Sequence, residues 1–327
     1  ATFGAKAAII AGCAATSNIL TGVMNGVPST GTMAHSFVTS YGSTVEGEHK
    51  AFVDYCNTHK GENLILLIDT YDTLKCGVLN AIRSFLECGI DDSYAPGYGI
   101  RLDSGDLAYL TKKARKMLDE AGFTKAVISA SSDLDEYLIN SLQTQGAKIT
   151  SWGVGTNLIT SNDWPSFGGV YKLASIISSD GEEHPKIKKS ENIVKVTNPG
   201  NKTVYRIYDN ETGKIRADLI CLTGETFDES QDLVIFDPNE TWKRTLLEGG
   251  TYTMRPLLAQ IFDEGKCVYT SPTAMEIREI RQREMDTLWD ENKRLVNPAK
   301  VYVDLSDKLY DLKAKVLHEL SNVKFHN

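Results

Sequence analysis

The sequence predicts an α/β protein: an irregular TIM-like α/β barrel followed by a C-terminal α+β extension that belongs to a second domain. Three observations lead there. Short apolar runs alternate with helical stretches as far as Thr160, and polar, chemistry-capable residues follow each apolar run directly. After Trp164 that rhythm gives way to hairpin patterns. Consecutive βα units imply parallel strands joined by helical crossovers. Reactive residues at the C-terminal strand ends are the arrangement of a (β/α) barrel. An open doubly wound sheet shares the local pattern but uses only a few of its loops. Polar motifs in five loops in a row therefore favour the barrel.

The elements follow in order. Residues 27–30 lead into a glycine entry at 31–35 and a helix to Asn57. A strand at 64–68 is followed by Asp69-Thr70-Tyr71-Asp72 and a helix ending at Gly89. A strand at 99–102 is followed by Asp103-Ser104-Gly105-Asp106 and an amphipathic helix through Leu110, Ala114, Met117 and Leu118 to Gly122. A strand at 126–128 precedes a polar loop at 129–133 and a helix at 134–142, closed by Gly146. Residues 148–150 then lead into Ser151-Trp152-Gly153-Val154-Gly155-Thr156. The closing glycines suit left-handed helix ends, and Asp106 and Asp133 suit helix starts.

Beyond Trp164, 170–177 and 186–189 read as strands around Ser179-Asp180-Gly181. Residues 202–208 and 214–222 read as a hairpin, and 234–236 as another strand. From Ser271 the pattern is helical, with Met275, Ile277, Ile280, Met285 and Leu288 on one face. Ser306 caps a last helix through Leu309, Leu312, Val316 and Leu320. This sets a barrel domain at 1–222 and a mostly helical extension at 223–327.

Composition narrows the function. With 41 % hydrophobic and 24 % charged residues the chain is an ordinary globular sequence, not a disordered or fibrous one. A net charge of −8 argues against a broad basic face for nucleic acid or anionic lipid, so any phosphate site must be local. The six cysteines form no C-x-x-C pair and suit reduced thiols in the cytoplasm. Ile10-Ala11-Gly12-Cys13 has the look of a lipoprotein cleavage site, but the apolar run before it is too short and no basic cluster precedes it. Residues 7–45 contain no Asp, Glu, Lys or Arg. Glycines, asparagines and Pro28 interrupt them, so they make no membrane span and read as a segment buried on most sides.

Several residues could carry chemistry. Gly153-Val154-Gly155-Thr156-Asn157 follows a strand and opens a helix, where exposed N–H groups suit a phosphate; an ordinary tight turn is the alternative. Gly168-Gly169 with Lys172 could close such a site from the next strand, or simply form another turn. Arg101 and Asp103 share one side of a strand end, either as a structural ion pair or as an anion-holding cation beside a carboxylate that faces developing positive charge. Asp69 and Asp72 divide between a site role and a helix cap, with Asp69 favoured for the site because it ends the strand. A lone His among small residues, as His35 is, is more often structural or a helix start than a catalyst; its flexible glycine entry and strand-end place raise the case for a catalytic role. His49, His59, His184, His318 and His326 lie in polar stretches read as exposed and receive no role. No ligand cluster supports a tightly held metal, and no G-x-S-x-G elbow supports a serine hydrolase.

The motifs resemble the nicotinate phosphoribosyltransferase family. The matching segments are Thr16-Ser17-Asn18-Ile19-Leu20-Thr21-Gly22, Gly31-Thr32-Met33-Ala34-His35-Ser36-Phe37, Ile68-Asp69-Thr70-Tyr71-Asp72-Thr73, Arg101-Leu102-Asp103-Ser104-Gly105-Asp106-Leu107, Ser151-Trp152-Gly153-Val154-Gly155-Thr156-Asn157 and Tyr252-Thr253-Met254-Arg255-Pro256-Leu257-Leu258. They occur in the family's order over nearly the whole chain.

The resemblance implies a type II phosphoribosyltransferase barrel packed against a second α/β domain. It implies transfer of phosphoribose from 5-phosphoribosyl 1-diphosphate to nicotinate, coupled to ATP hydrolysis, in NAD salvage. His35 matches the histidine phosphorylated by ATP. Thr32 and Arg101 match positions that contact nicotinate, and Thr156 one that contacts the phosphoribosyl donor. Asp69 and Asp103 would stabilise positive charge at C1 of the ribose or orient Mg²⁺ through its waters, and Gly153 and Gly155 would shape the 5′-phosphate turn. The family implies a homodimer and no membrane or nucleic-acid partner. Its members carry a further N-terminal segment with a Phe-Gly-x-Arg-Arg-x-Gln-Gly pattern and an aromatic that stacks on nicotinate across the dimer. The expectation is therefore a fragment whose barrel domain is truncated at its N-terminus, inactive alone if nothing replaces that segment. A different reading is a non-catalytic fragment or phosphate-ligand-binding module of a nicotinamide- or quinolinate-phosphoribosyltransferase-like protein.

Overall fold

The computed structural model describes residues 1–166, 168–190 and 196–321, so His326 lies outside the described residues. The chain divides into two units, Ala1–Phe167 with Thr273–Arg278, and Gly168–Pro272 with Glu279–Asn327.

The first unit opens with helices α1 (Thr2–Ala11), α2 (Ile19–Asn25), α3 (His35–Thr39) and α4 (Val45–Thr58). A parallel sheet follows, of β1 (Leu64–Leu67), β2 (Tyr98–Leu102), β3 (Val127–Ala130) and β4 (Ser151–Trp152), in that order. The crossovers are α5 (Val78–Glu87), α6 (Leu107–Glu120) and α7 (Glu136–Thr144), and α8 (Thr156–Ile159) follows β4. All four residues of β1 are buried, as a strand covered on both faces requires. Leu66, Ile100, Leu102, Ile128, Phe52 and Phe85 belong to one buried cluster.

Two glycines permit this packing. A Cβ on Gly99 would stand 2.0 Å from the carbonyl oxygen of Val127 on the neighbouring strand, and one on Gly77 would stand 1.9 Å from that of Ile68. Asp106 caps α6 through the Tyr109 N–H, as expected. The cap expected of Asp133 falls to Asp135, which accepts from the Leu138 N–H at 2.7 Å. Ser132 and Asp133 take positive φ, so the chain turns there and the helix starts later.

The α/β class stands, but the sheet of this unit is open. Among the described residues β1 pairs only with β2 and β4 only with β3. Local βα rhythm is the same in an arc and in a closed barrel; closure takes about eight strands. The uncharged segment is also less covered than expected, because Ile19, Leu20, Val23 and Met24 of α2 are exposed. His49, by contrast, is buried, with its Nε2 3.2 Å from Glu87 Oε2.

The second unit contains β5 (Ser175–Ile177) paired with β6 (Glu183–Pro185). It also contains β7 (Lys202–Asp209), β8 (Ile215–Leu222), β9 (Leu233–Phe236), β10 (Arg244–Leu247), β11 (Tyr252–Pro256), β12 (Phe262–Asp263) and β13 (Lys266–Cys267). Helix α9 (Ala274–Thr287), strand β14 (Tyr302–Leu305) and helix α10 (Asp307–Ser321) end the chain's described elements. The main sheet has the order β11-β7-β8-β14, with β14 parallel to β8. Burial alternates along β8, and Ile207, Ala217, Leu219, Ile235, Leu247 and Tyr252 form the core. Ser306 caps α10 through the Leu309 N–H.

The 202–222 hairpin, placed with the first domain from sequence, packs in this unit. The strand expected at 186–189 lies at Glu183–Pro185 instead. The extension beyond residue 222 is not mostly helical: six strands lie among its described residues, each too short to show an alternating pattern.

Candidate active site

The candidate site lies at the C-terminal ends of β1 to β4, where a parallel α/β sheet leaves its loops free for chemistry. Ile68 N–H donates to the Arg101 carbonyl, Ser131 N–H to that of Leu102 and Gly153 N–H to that of Ala130. Asp69, Asp103, Ser131 and Gly153 are thus held side by side on neighbouring strand ends.

Asp69 is the centre of the arrangement. Its Oδ1 is 3.1 Å from His35 Nε2, and its Oδ2 accepts from the Asp103 N–H at 2.9 Å and the Ser104 hydroxyl at 2.6 Å. The Asp69 side chain is 2 % exposed and that of His35 42 %. A buried carboxylate facing a ring nitrogen holds the proton on that nitrogen and leaves the other as the acceptor. The His35 Nδ1 is therefore the free, nucleophilic atom. Asp72 is the helix cap of the pair, accepting from the N–H groups of Leu74 and Lys75.

Arg101 forms the second part. Its Nε donates to Ser131 Oγ at 2.9 Å, Nη1 to Thr32 Oγ1 at 2.8 Å and Nη2 to Asp103 Oδ1 at 3.3 Å. Ser131 donates in turn to Asp103 Oδ1. The guanidinium fork is locked in plane by strand ends and by the 31–35 loop. Ser131 was missed from sequence. Its signal was its place just after β3, in the same register as Asp103 after β2.

The glycine turn forms the third part. Gly153 is tied to β3, and a Cβ there would meet Ser131 Cβ at 3.3 Å. The N–H groups of Val154, Gly155 and Thr156 donate to no backbone acceptor among the described residues. Nothing lies within 4 Å of a Cβ position on Gly155. Asn157 ties the turn down by donating to the Asp133 and Leu134 carbonyls. The helix it opens, α8, is a single turn of four residues, so open N–H groups rather than a helix dipole make it anion-ready.

Contacts run unbroken from His35 through Asp69, Asp103 and Ser131 to Gly153, so the imidazole and the glycine turn belong to one rim. Gly168, Gly169 and Lys172 lie outside any strand and in the second unit. Among the described residues no group of three His, Cys, Asp or Glu could hold a metal, and no helix is long and apolar enough to cross a membrane. All six cysteines are unpaired, and burial pushes the Cys56 thiol up to about 12.

A family described as the nicotinate phosphoribosyltransferase C-terminal domain matches residues 201–313. The chain is 44 % identical over 322 residues to a nicotinate phosphoribosyltransferase of Bacillus subtilis, covering 98 % of this chain and 63 % of that protein. It is 31 % identical over 358 residues to a nicotinate phosphoribosyltransferase of Caenorhabditis elegans, covering 93 % and 62 % respectively. The chain thus spans just under two thirds of the length of these relatives. The crystal structure of human nicotinic acid phosphoribosyltransferase is similar in fold, with a TM-score of 0.72, 23 % identity and coverage of 96 % of this chain and 66 % of that one.

Proposed function

The chain belongs to the nicotinate phosphoribosyltransferase family, and from that premise we propose that it carries the site for ATP-coupled transfer of phosphoribose from 5-phosphoribosyl 1-diphosphate to nicotinate, in pyridine nucleotide salvage. The observation that carries this reading is the His35–Asp69 pair beside the Arg101–Thr32 fork on one strand-end rim.

Arg101, oriented by Ser131 and Thr32, receives the nicotinate carboxylate. The open N–H groups at 154–156, with Thr156, take the 5′-phosphate. The pyridine nitrogen then attacks C1 of the ribose as the bond from C1 to diphosphate breaks, and Asp103 faces the positive charge that builds on the sugar. His35 Nδ1 attacks the γ-phosphorus of ATP; the bond to the β-phosphate oxygen breaks, ADP leaves and a phosphohistidine remains. The added negative charge sits at the mouth of the rim and biases the loops around it.

The donor set fits Mg²⁺ only as an ion brought on the diphosphate. Both Asp69 oxygens already accept hydrogen bonds, and Asp103 Oδ1 is shared by Arg101 and Ser131. Asp103 Oδ2 could take one of its waters, in keeping with the usual one or two carboxylates per Mg²⁺. We further read the parallel sheet as an arc of the type II barrel, the unpaired thiols as those of a cytoplasmic enzyme, and the working form as a homodimer.

The test is ADP release by the chain, and by a polypeptide extended to the length of those relatives, with nicotinate, phosphoribosyl diphosphate and ATP. The reading expects ADP release that depends on nicotinate in the extended polypeptide, and its loss there in His35→Ala. Binding of the phosphoribosyl donor without turnover in either form would instead favour a binding module, and preference for nicotinamide would overturn the substrate assignment.

A further inference from the structure

The second unit holds a cavity of about 650 Å³, walled in part by Trp242, Trp289, Tyr302, Asp237 and Asp304. None of the residues given a role above lines it. Its size is that of a small-molecule site, typically about 300–1,000 Å³.

Asp304 is its unusual feature. It lies on β14 opposite Leu219 of β8 and is 5 % exposed. Among the described residues no hydrogen-bond donor or cation meets its carboxylate. A buried carboxylate is ordinarily paired or hydrogen-bonded, because leaving its charge without a partner is costly. Burial, and then the negative Asp237, push the Asp304 carboxyl up to about 6.

Three of the four cations on the same walls are engaged elsewhere. Arg216 donates to Asp209 Oδ2 at 2.9 Å, and Lys243 pairs with Glu240. The Arg244 guanidinium lies 5.2 Å from the Phe236 ring centre, with its Nε on the Thr241 carbonyl. Lys300 is exposed. The aromatic side is partly preset: the Trp289 indole N–H donates to the Ile215 carbonyl at 2.8 Å. Trp242 is 73 % exposed and so open to an incoming ligand. An unpaired buried acid beside indole rings selects positive charge on an organic body, through Coulomb attraction and cation–π contact. A bare metal ion would find too few donors.

We propose that this cavity binds a small organic cation, a primary ammonium or guanidinium on an aromatic or aliphatic body, with Asp304 receiving the charge and Trp242 and Trp289 the body. The proposal rests on the second unit alone and is independent of the transferase reading.

The experiment titrates the chain with benzylammonium, benzyl alcohol and benzoate while following the indole N–H resonances of Trp242 and Trp289. Benzylammonium is expected to shift them saturably, with the neutral and anionic analogues at least about tenfold weaker. Asp304→Asn keeps the side-chain shape; it is expected to weaken benzylammonium binding at least about tenfold with no drop in unfolding midpoint. Arg101→Ala is expected to leave that binding unchanged. Equal binding of all three probes, no binding of benzylammonium, undiminished binding by Asp304→Asn, or loss of binding in Arg101→Ala would each overturn the proposal.

Discussion

Asp69 Oδ1 stands 3.1 Å from His35 Nε2, and the carboxylate is buried while the imidazole is open to solvent. The pairing sets the tautomer, and the tautomer sets which nitrogen is nucleophilic. Phosphorylation is therefore expected on Nδ1 of His35. Phosphorus NMR of the chain incubated with ATP separates the two phosphohistidine isomers, and a signal from the Nε2 isomer would refute the assignment.

Asp69→Asn should keep the fold and lose the chemistry. An amide can still accept from the Asp103 N–H and Ser104 hydroxyl through its oxygen, and then turns its NH₂ toward His35. That reverses the tautomer. ATP-coupled turnover should fall by about a hundredfold or more, as when the orienting carboxylate of a catalytic triad is made neutral. An unchanged melting temperature with full turnover would show that Asp69 does not orient His35.

Arg101→Lys should raise KM for nicotinate by about tenfold or more while leaving the unfolding midpoint close to the parent's. A lysine keeps the charge but cannot reach Ser131, Thr32 and Asp103 together as the planar fork does. Steady-state kinetics with nicotinate varied at saturating ATP decide it; an unchanged KM removes Arg101 from the nicotinate subsite.

A glycine of the turn and a glycine of β2 should respond differently. Gly155→Ala meets open space and should change stability by less than about 0.5 kcal/mol, yet weaken binding of the phosphoribosyl donor. Gly99→Ala forces a methyl group onto the Val127 carbonyl and should cost about 3 kcal/mol or more, because β2 and β3 must part. Urea unfolding of both variants, with calorimetry for the first, checks the contrast.

Asp304 should make the second unit less stable as pH rises. Its carboxyl is pushed up to about 6 in the folded chain, so between pH 4 and 6 the native state holds more protons than the unfolded one. The derivative of stability with pH is then negative, and the loss is complete above the folded value. Asp304→Asn should match the parent at pH 4 and exceed it by on the order of 2 kcal/mol at pH 8. Paired unfolding curves at the two pH values test this; a variant no more stable than the parent at pH 8 would mean that the carboxylate is paired after all.

The sequence by itself determined what depends on near neighbours. Apolar runs of strand length, Asp106 and Ser306 as helix starts, and reactive residues directly after strands are local matters of period, capping and order. The family motifs were equally readable, because each is a short string. Only the tertiary structure decided relations across long separations. His35 meets Asp69 across 34 residues and Arg101 meets Thr32 across 69, and Ser131 enters the site because the sheet sets β3 beside β2. The openness of the first sheet, the place of β14 beside β8 and the unpartnered burial of Asp304 are of the same kind. A strand does not carry in its own residues the identity of its neighbour. Register, burial and charge pairing are settled only when distant segments compete for the same apolar surface and the same hydrogen bonds.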